Sequence, residues 1–363
     1  MTCLLITGGA GFVGSNLAVS LAARHPDWEI LALDNLYRRG SELNLPRLEE
    51  AGVEFVKGDV REPADLERFA ALNAIVECSA EPSVMSGVDG STSYLLHTNL
   101  TGAYNCLELA RRSGAQLVFV STSRVYPIEP QLSLTLEEAP TRFELAAEQP
   151  LPGASAAGIA EDFPLAGART LYGTTKLAAE LLIEEYRAAF GLRAAVDRCG
   201  VIAGPWQMGK VDQGVFTHWL LSHRFGKPLR YIGFGGEGKQ VRDLLHIEDL
   251  GDLIERQLLD PERWDGAIVN VGGGRDCSLS LQETTAICRE LTGSEVLIEP
   301  VADTRPGDVP VYLSDCGRLF EFDKWRPRRD ARQILADIDA WIVAEEERIG
   351  RALNIDTTTA GME

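Results

Sequence analysis

Positive charge is scarce in this chain of 363 residues: 35 Lys and Arg stand against 54 Asp and Glu, a formal charge of -19. A broad affinity for nucleic acid or for an anionic membrane is excluded on that balance, since both partners attract cationic surfaces. Any anionic ligand must meet a local basic cluster. Long apolar runs are also missing, and no stretch reaches the roughly 20 residues that a membrane-spanning helix needs. The opening run Leu4-Leu5-Ile6 is brief, lacks a basic flank and enters a glycine turn, so it reads as a core strand and not as a signal peptide. Histidine is sparse and dispersed, with only His218 and His223 near each other, and no metal is expected. The cysteines Cys3, Cys78, Cys106, Cys199, Cys277, Cys288 and Cys316 show no short paired spacing of the kind that marks zinc or a redox couple. Reduced, buried thiols and a cytoplasmic setting are the expectation.

What is present is apolar content of 45%, enough for a large core and two lobes, and a glycine-rich turn. Leu4-Leu5-Ile6-Thr7-Gly8-Gly9-Ala10-Gly11-Phe12-Val13-Gly14 is followed twenty residues on by Leu31-Ala32-Leu33-Asp34-Asn35. This is the pattern of a dinucleotide-binding βαβ unit: a strand turns sharply into a helix whose free N–H groups face a pyrophosphate, and Gly8, Gly11 and Gly14 keep side chains out of the way. Asp34 closes the second strand, where a carboxylate accepts hydrogen bonds from a ribose 2′-hydroxyl and repels a 2′-phosphate. NAD is favoured over NADP; Arg38 and Arg39 keep NADP as the alternative, because guanidinium groups attract phosphate.

Apolar β-rich runs then alternate with helix-like segments, which predicts an α/β fold with a doubly wound parallel sheet of the Rossmann type and a smaller C-terminal substrate-binding lobe. A third strand is expected over 53–60 and a fourth over 74–78, with Asp59 and Val60 bordering the adenine. A helix over 99–113 leads to a fifth strand over 116–120 that delivers Ser121, Thr122 and Ser123 to the ligand side. The Pro-, Glu- and Ala-rich stretch at about 127–167 reads as a substrate-side insertion or lid. The expected division is a first domain over 1–204 that includes this insertion, a lobe over 205–355 with segments returning to the first domain, and a loose tail over 356–363. A terminal helix is predicted over 331–349, from the helical spacing of Ile334, Leu335, Ile338, Trp341 and Ile342.

The second chemical signal is Tyr172-Gly-Thr-Thr-Lys176 at the head of a helical pattern, a spacing of four that places both side chains on one face. A phenol is a poor base near neutrality, with a reference pKa of about 10, but a neighbouring ammonium and a cationic nicotinamide both favour the phenolate. Thr122 is placed to share a substrate hydroxyl proton with it. The bland alternative, a packed tyrosine, a solvated lysine and a threonine capping a turn, loses ground once the glycine turn stands beside them.

With these residues the chain resembles the extended short-chain dehydrogenase/reductase family, the group of nucleotide-sugar epimerases and dehydratases. The resemblance takes in Gly8 to Gly14, Asp34, Asn99 in Thr-Asn-Leu-Thr-Gly, Phe119-Val-Ser-Thr-Ser-Arg-Val-Tyr126, Tyr172 with Lys176, and Gln240-Val-Arg-Asp-Leu-Leu-His246. It implies Thr122, Tyr172 and Lys176 as the catalytic set, with Tyr172 as acid/base and Lys176 binding the nicotinamide ribose and lowering the tyrosine's pKa. It implies Gly8, Gly11, Phe12, Val13, Gly14, Asp34, Asn35, Asp59, Val60 and Asn99 on the NAD side. A diphosphate clamp is implied at Arg242 and Arg305, each with the alternative of an ion pair, for Arg305 with Asp303 or Asp308. Ser123, Gln213 and Gln240 are further substrate-side candidates, although the glutamine amides can equally satisfy loop backbone. Glu77-Cys78-Ser79-Ala80 departs from the His-Leu-Ala-Ala of many members, and Pro127 from the usual glycine.

The insertion, Asp34-Asn35-Leu36 leading to Arg38-Arg39-Gly40-Ser41, and the stretches at 211–214 and 238–243 lean towards sugar 2-epimerases acting on CDP-linked 3,6-dideoxyhexoses. A 4-epimerase is the runner-up. A dehydratase ranks lower, because Ser123 and Arg124 replace the carboxylic acid expected beside Thr122, and a non-catalytic NAD-sensing protein lower still. A homodimer through the Asn99 and Tyr172 helices is what the family implies.

Overall fold

The computed structural model describes residues 2–86, 91–208 and 214–353, in a chain that divides into two compact units. The first unit consists of Met1–Val125, Arg169–Cys199 and Ile247–Val269. Its frame comes from β1 (Cys3–Thr7), β2 (Glu29–Asp34), β3 (Glu54–Lys57), β4 (Ala74–Glu77) and β5 (Gln116–Thr122), followed by the strand Ala194–Cys199 and the first two residues of the strand Ile268–Val271. Across the sheet the order is β3, β2, β1, β4, β5, Ala194–Cys199, Ile268–Val271. The pairings from β3 through to Ala194–Cys199 are parallel. This is the doubly wound Rossmann arrangement that the alternating pattern predicts, and the order reverses between β1 and β4, where such sheets open a crevice at their strand ends. All four residues of β4 and all seven of β5 are buried, as expected of strands covered by helices on both faces.

Element bounds moved for identifiable reasons. The third strand stops at Lys57 because the Asp59 N–H leaves the ladder for the Asp65 carboxylate, at 2.8 Å. The helix expected from residue 99 starts earlier, as Ser93–Leu96, passes through a π-turn at His97–Thr101 and continues as Gly102–Ser113. The fifth strand runs on to Thr122. Leu33, Val60, Ile75, Leu107, Leu117, Phe119, Ile183 and Val196 fill the core between the sheet and its helices.

The second unit consists of Tyr126–Ala168, Gly200–His246 and Asn270–Glu363. The stretch at about 127–167, assigned by sequence to the first domain, belongs here instead. Its backbone is hydrogen-bonded into this unit: Phe143 N–H donates to Lys239 at 2.9 Å and Ile159 N–H to Leu313 at 2.8 Å. The strand Val241–His246 organises the unit. Val201–Ala203 pairs parallel to it, Ser278–Ser280 antiparallel and Val311–Tyr312 parallel. Leu229–Ile232 and Ile298–Val301 form a separate parallel pair. The terminal helix is Ala331–Ala344, shorter than expected, because the backbone leaves helical geometry at Glu345 before a second helix, Glu346–Leu353. The expected loose tail lies outside the described residues.

Inside the first unit a buried ion pair joins Arg198 to Glu180 of the helix Leu171–Phe190, with Arg198 Nη2 2.7 Å from Glu180 Oε2. The Ser121 hydroxyl also donates to Glu180, which ties this helix to the end of β5. Replacing Glu180 with alanine strands a guanidinium in the core and is expected to cost about 3–5 kcal/mol in urea unfolding. Arg198 and Glu180 replaced together by leucine should recover most of that loss.

Candidate active site

The turn after β1 is built by close approach. Gly8 has φ +64° and Gly11 caps the helix α1 (Phe12–Arg24) with no side-chain cap and no acidic residue in the first turn. A Cβ on Gly14 would stand 2.3 Å from the Gly8 carbonyl oxygen, and one on Gly9 would stand 2.7 Å from Ala32 Cα. Gly14 and Gly9 are therefore required for helix and strand to pack, a role the sequence did not reveal for Gly9. Gly11 is less confined, its Cβ meeting only Gly8, yet at 3.0 Å from the carbonyl oxygen that contact is still tight. The N–H groups of Phe12, Val13 and Gly14 belong to the first helical turn, where no intrahelical acceptor exists, so they are available to an anion. This cradle fits the pyrophosphate of NAD.

Asp34, at the end of β2, is held by backbone donors, among them Ala10 N–H to Oδ2 at 3.1 Å and Leu36 N–H to Oδ1 at 2.7 Å. Burial pushes its carboxyl up from the ordinary value against these bonds, and the neighbouring Asp59 pushes the same way. Asp59 goes the other way. Burial opposes its ionisation, but Arg61 and Asn35 hydrogen-bond it and bring it down to about 2. Asn35 Nδ2 donates to Asp59 at 2.9 Å and its Oδ1 accepts from Tyr37 N–H, which makes Asn35 the brace between the β2 and β3 ends. Val60 is buried, and its carbonyl accepts from Asn105 Nδ2 at 2.8 Å. Arg61 was missed by sequence, although its place two residues after Asp59 suits the bidentate contact it makes.

Thr122 ends β5, buried, with its Oγ1 accepting from Arg124 N–H at 3.2 Å. Ser123 is half-buried on the following tight turn. Tyr172 is the second residue of the helix Leu171–Phe190, whose start is set by Thr170, the hydroxyl of which accepts from Gly173 N–H. Gly173 decides the distance between these elements, because a Cβ there would lie 2.0 Å from the Arg124 carbonyl oxygen. Its absence lets the helix start settle on the turn after β5, which brings the Tyr172 phenol under the influence of the Thr122 hydroxyl. Burial raises the phenol above its ordinary value, while Lys176 and Thr122 pull it down. Lys176 thus acts in the expected direction but is outweighed by burial. The Lys176 ammonium lies 3.8 Å over the Phe119 ring and 3.4 Å from Glu77 Oε2. Asn99, in the π-turn, accepts from Glu81 N–H at 2.7 Å and donates to Thr175 Oγ1 at 3.2 Å, so it ties the loop after β4 to the first turn of the Tyr172 helix.

The second unit carries the other candidates. The Arg242 guanidinium is already engaged: Nη2 is 2.5 Å from Asp308 Oδ1 and 2.7 Å from the Val309 carbonyl, and Nη1 is 2.7 Å from the Val241 carbonyl. The ion-pair alternative weighed for Arg305 with Asp308 is realised at Arg242 instead. Arg305 is half-buried and makes no ion pair among the described residues. Gln240 donates through Nε2 to the Ile232 carbonyl at 3.0 Å, while its buried Oε1 has no partner among the described residues. Gln213 lies outside the described residues.

Residues 4–272 match the profile of the NAD dependent epimerase/dehydratase family. The chain is 29% identical to the CDP-paratose 2-epimerase of Salmonella typhi over 350 residues, which span 93% of this chain and 98% of that one. It is 30% identical to a dTDP-glucose 4,6-dehydratase of Mycobacterium tuberculosis, over 90% of this chain and 88% of the other. Among solved structures, the UDP-glucose 4-epimerase of Thermus thermophilus in complex with NAD superposes with a TM-score of 0.74 at 26% identity, covering 94% of this chain and 99% of that one.

The geometry of the turn predicts a graded response to added methyl groups. Gly14→Ala should lose bound NAD and about 1–3 kcal/mol of stability, as overpacked sites do, whereas Gly11→Ala, with a milder contact, should lose clearly less stability than Gly14→Ala. NAD content after purification and urea unfolding of both variants check this.

Proposed function

Because the chain belongs to the NAD dependent epimerase/dehydratase family, we propose that it is a nucleotide-sugar epimerase working through a transient keto-sugar, with CDP-paratose and CDP-tyvelose as the pair interconverted at C2. The observation that carries the reading is the assembled acid/base set, Thr122 against Tyr172 with Lys176 one turn on, beside residues that supply no carboxylic acid. Elimination of water from a sugar needs such an acid at the leaving hydroxyl, and Ser123 and Arg124 stand where it would be. The choice of sugar is supported by the similarity to the Salmonella enzyme along nearly the full length of both chains.

The chemistry follows from these residues. Bound NAD supplies the acceptor, and then the donor, of the hydride at the sugar carbon. Tyr172, ionised with help from Lys176, takes the proton of the C2 hydroxyl through its contact with Thr122 and later gives it back. Arg305 holds the diphosphate of the substrate, and Arg242, kept in place by Asp308, flanks it. Binding energy from the nucleotide end retains the ketone while the sugar turns its other face, so the returning hydride inverts the centre. The acid/base set does not choose the carbon; sugar orientation does. A 4-epimerase is the second reading, supported by the similarity to the Thermus structure.

We also assign a homodimer through the Asn99 and Tyr172 helices. Tyr104 is 45% exposed and Leu181 57%, apolar surface on both helices that a second copy would cover. Leu181→Asp is expected to shift the protein to monomer in sedimentation velocity.

Proton NMR of purified protein with CDP-paratose and no added NAD should show conversion to CDP-tyvelose, since the cofactor is regenerated in each turnover. Conversion of a UDP-hexose at C4 instead would replace this reading by the runner-up, and stoichiometric consumption of NAD would exclude both. Tyr172→Phe should reduce turnover about 100- to 10,000-fold with NAD content unchanged.

A further inference from the structure

Glu77 ends β4 at 1% exposure, paired through the sheet with Thr7 on one side and Phe119 on the other. A carboxylate there is expensive to desolvate, and an apolar residue of similar volume would serve the sheet as well or better. Its oxygen is nevertheless turned to the one lysine of the site, with Lys176 Nζ at 3.4 Å and both side chains 2% exposed. The same ammonium rests 3.8 Å over the Phe119 ring. Two neighbouring strands therefore fix its position, β4 by charge and β5 by an aromatic face.

We infer that Glu77 is a positioning residue for Lys176: it fixes the ammonium on the Phe119 ring, and its charge sets how much of the ammonium's field reaches the Tyr172 phenol. The inference rests on reading Tyr172 as the acid/base. Such a group must both lose and regain a proton in each cycle, and it serves best when neither form is strongly preferred. A lone buried ammonium would hold the phenolate. Paired with Glu77, Lys176 presents a weaker field.

The surroundings leave these charges to act on each other. Glu77 faces Lys176 from the Tyr172 helix, the Cys106 thiol from Gly102–Ser113, its neighbour Cys78, and the Ser79 N–H, which donates to it. Burial, reinforced by Glu77, pushes both thiols up, so they stay neutral. Burial also pushes Glu77 up, and Lys176 is the main influence pulling it back. Tyr172 in turn faces Lys176, the Thr122 hydroxyl, the Cys199 thiol and Arg124, with Lys176 the strongest influence opposing burial.

The test is a pH titration of tyrosinate absorbance in the NAD-loaded protein, with the same protein carrying Tyr172→Phe subtracted to isolate Tyr172 among the eight tyrosines. Glu77→Gln should lower the Tyr172 midpoint by roughly one pH unit, because the ammonium loses its counter-charge. Glu77→Asp keeps that charge and should stay within about 0.3 unit of the parent. A midpoint that does not move, or moves up, in Glu77→Gln overturns the inference. Glu77→Met, which removes the same charge, replaces Glu77→Gln should the latter not fold. Failure of both to fold while Glu77→Asp folds would mark a purely structural pair and overturn it as well. No sugar enters this titration, so failure to convert CDP-paratose refutes the substrate assignment and leaves this result standing.

Discussion

Burying the ammonium of Lys176 is the constraint around which the strand ends are arranged. An isolated charge inside a protein is costly, and it persists only where opposite charge and polarizable surface replace the lost water. Here β4 provides a carboxylate and β5 an aromatic face. Once the ammonium is seated, the helix that carries it has one position against the sheet. Asn99 bonds to Thr175 and the Glu81 backbone, Glu180 takes Arg198 and Ser121, and Gly173 admits the Arg124 carbonyl. Thr122 and Tyr172 meet as the outcome of that docking.

The nucleotide side rests on a different balance, one of space. Helix α1 starts where it does because Gly14 can sit against the Gly8 carbonyl and Gly9 against Ala32, contacts that any side chain would break. The N–H groups of the first turn of α1 keep no intrahelical acceptor as a result of that packing. Next to them, two carboxylates only one strand apart have opposite tendencies: Asp34 lies in a buried setting with backbone donors alone, and Asp59 is held ionised by Arg61 and Asn35. The paired one carries the fixed negative charge at this edge, while burial works against the charge of the other.

In the second unit, charge is allotted unevenly between two arginines that look equivalent in the chain. Asp308 and two carbonyls take up Arg242, which becomes part of the scaffold of the strand Val241–His246. Arg305, beyond that strand, keeps its guanidinium uncommitted among the described residues. With a formal charge of -19 over the whole chain, a locally available cation is what an anionic substrate requires.

Some of this was legible from residues alone. The period of apolar runs, the glycine spacing before α1, the acid at the end of β2 and the four-residue step from Tyr172 to Lys176 are local signals. Each is written within a few residues, and each specifies a local element. What only the tertiary structure decided depends on residues far apart in the chain. Lys176 meets Glu77 across 99 positions and Arg242 meets Asp308 across 66. Residues 126–168 join the second unit through backbone bonds to segments that follow much later. Composition names the charges present, but which of them are neutralised, and which remain to act on a ligand, is settled by the burial and pairing that folding imposes.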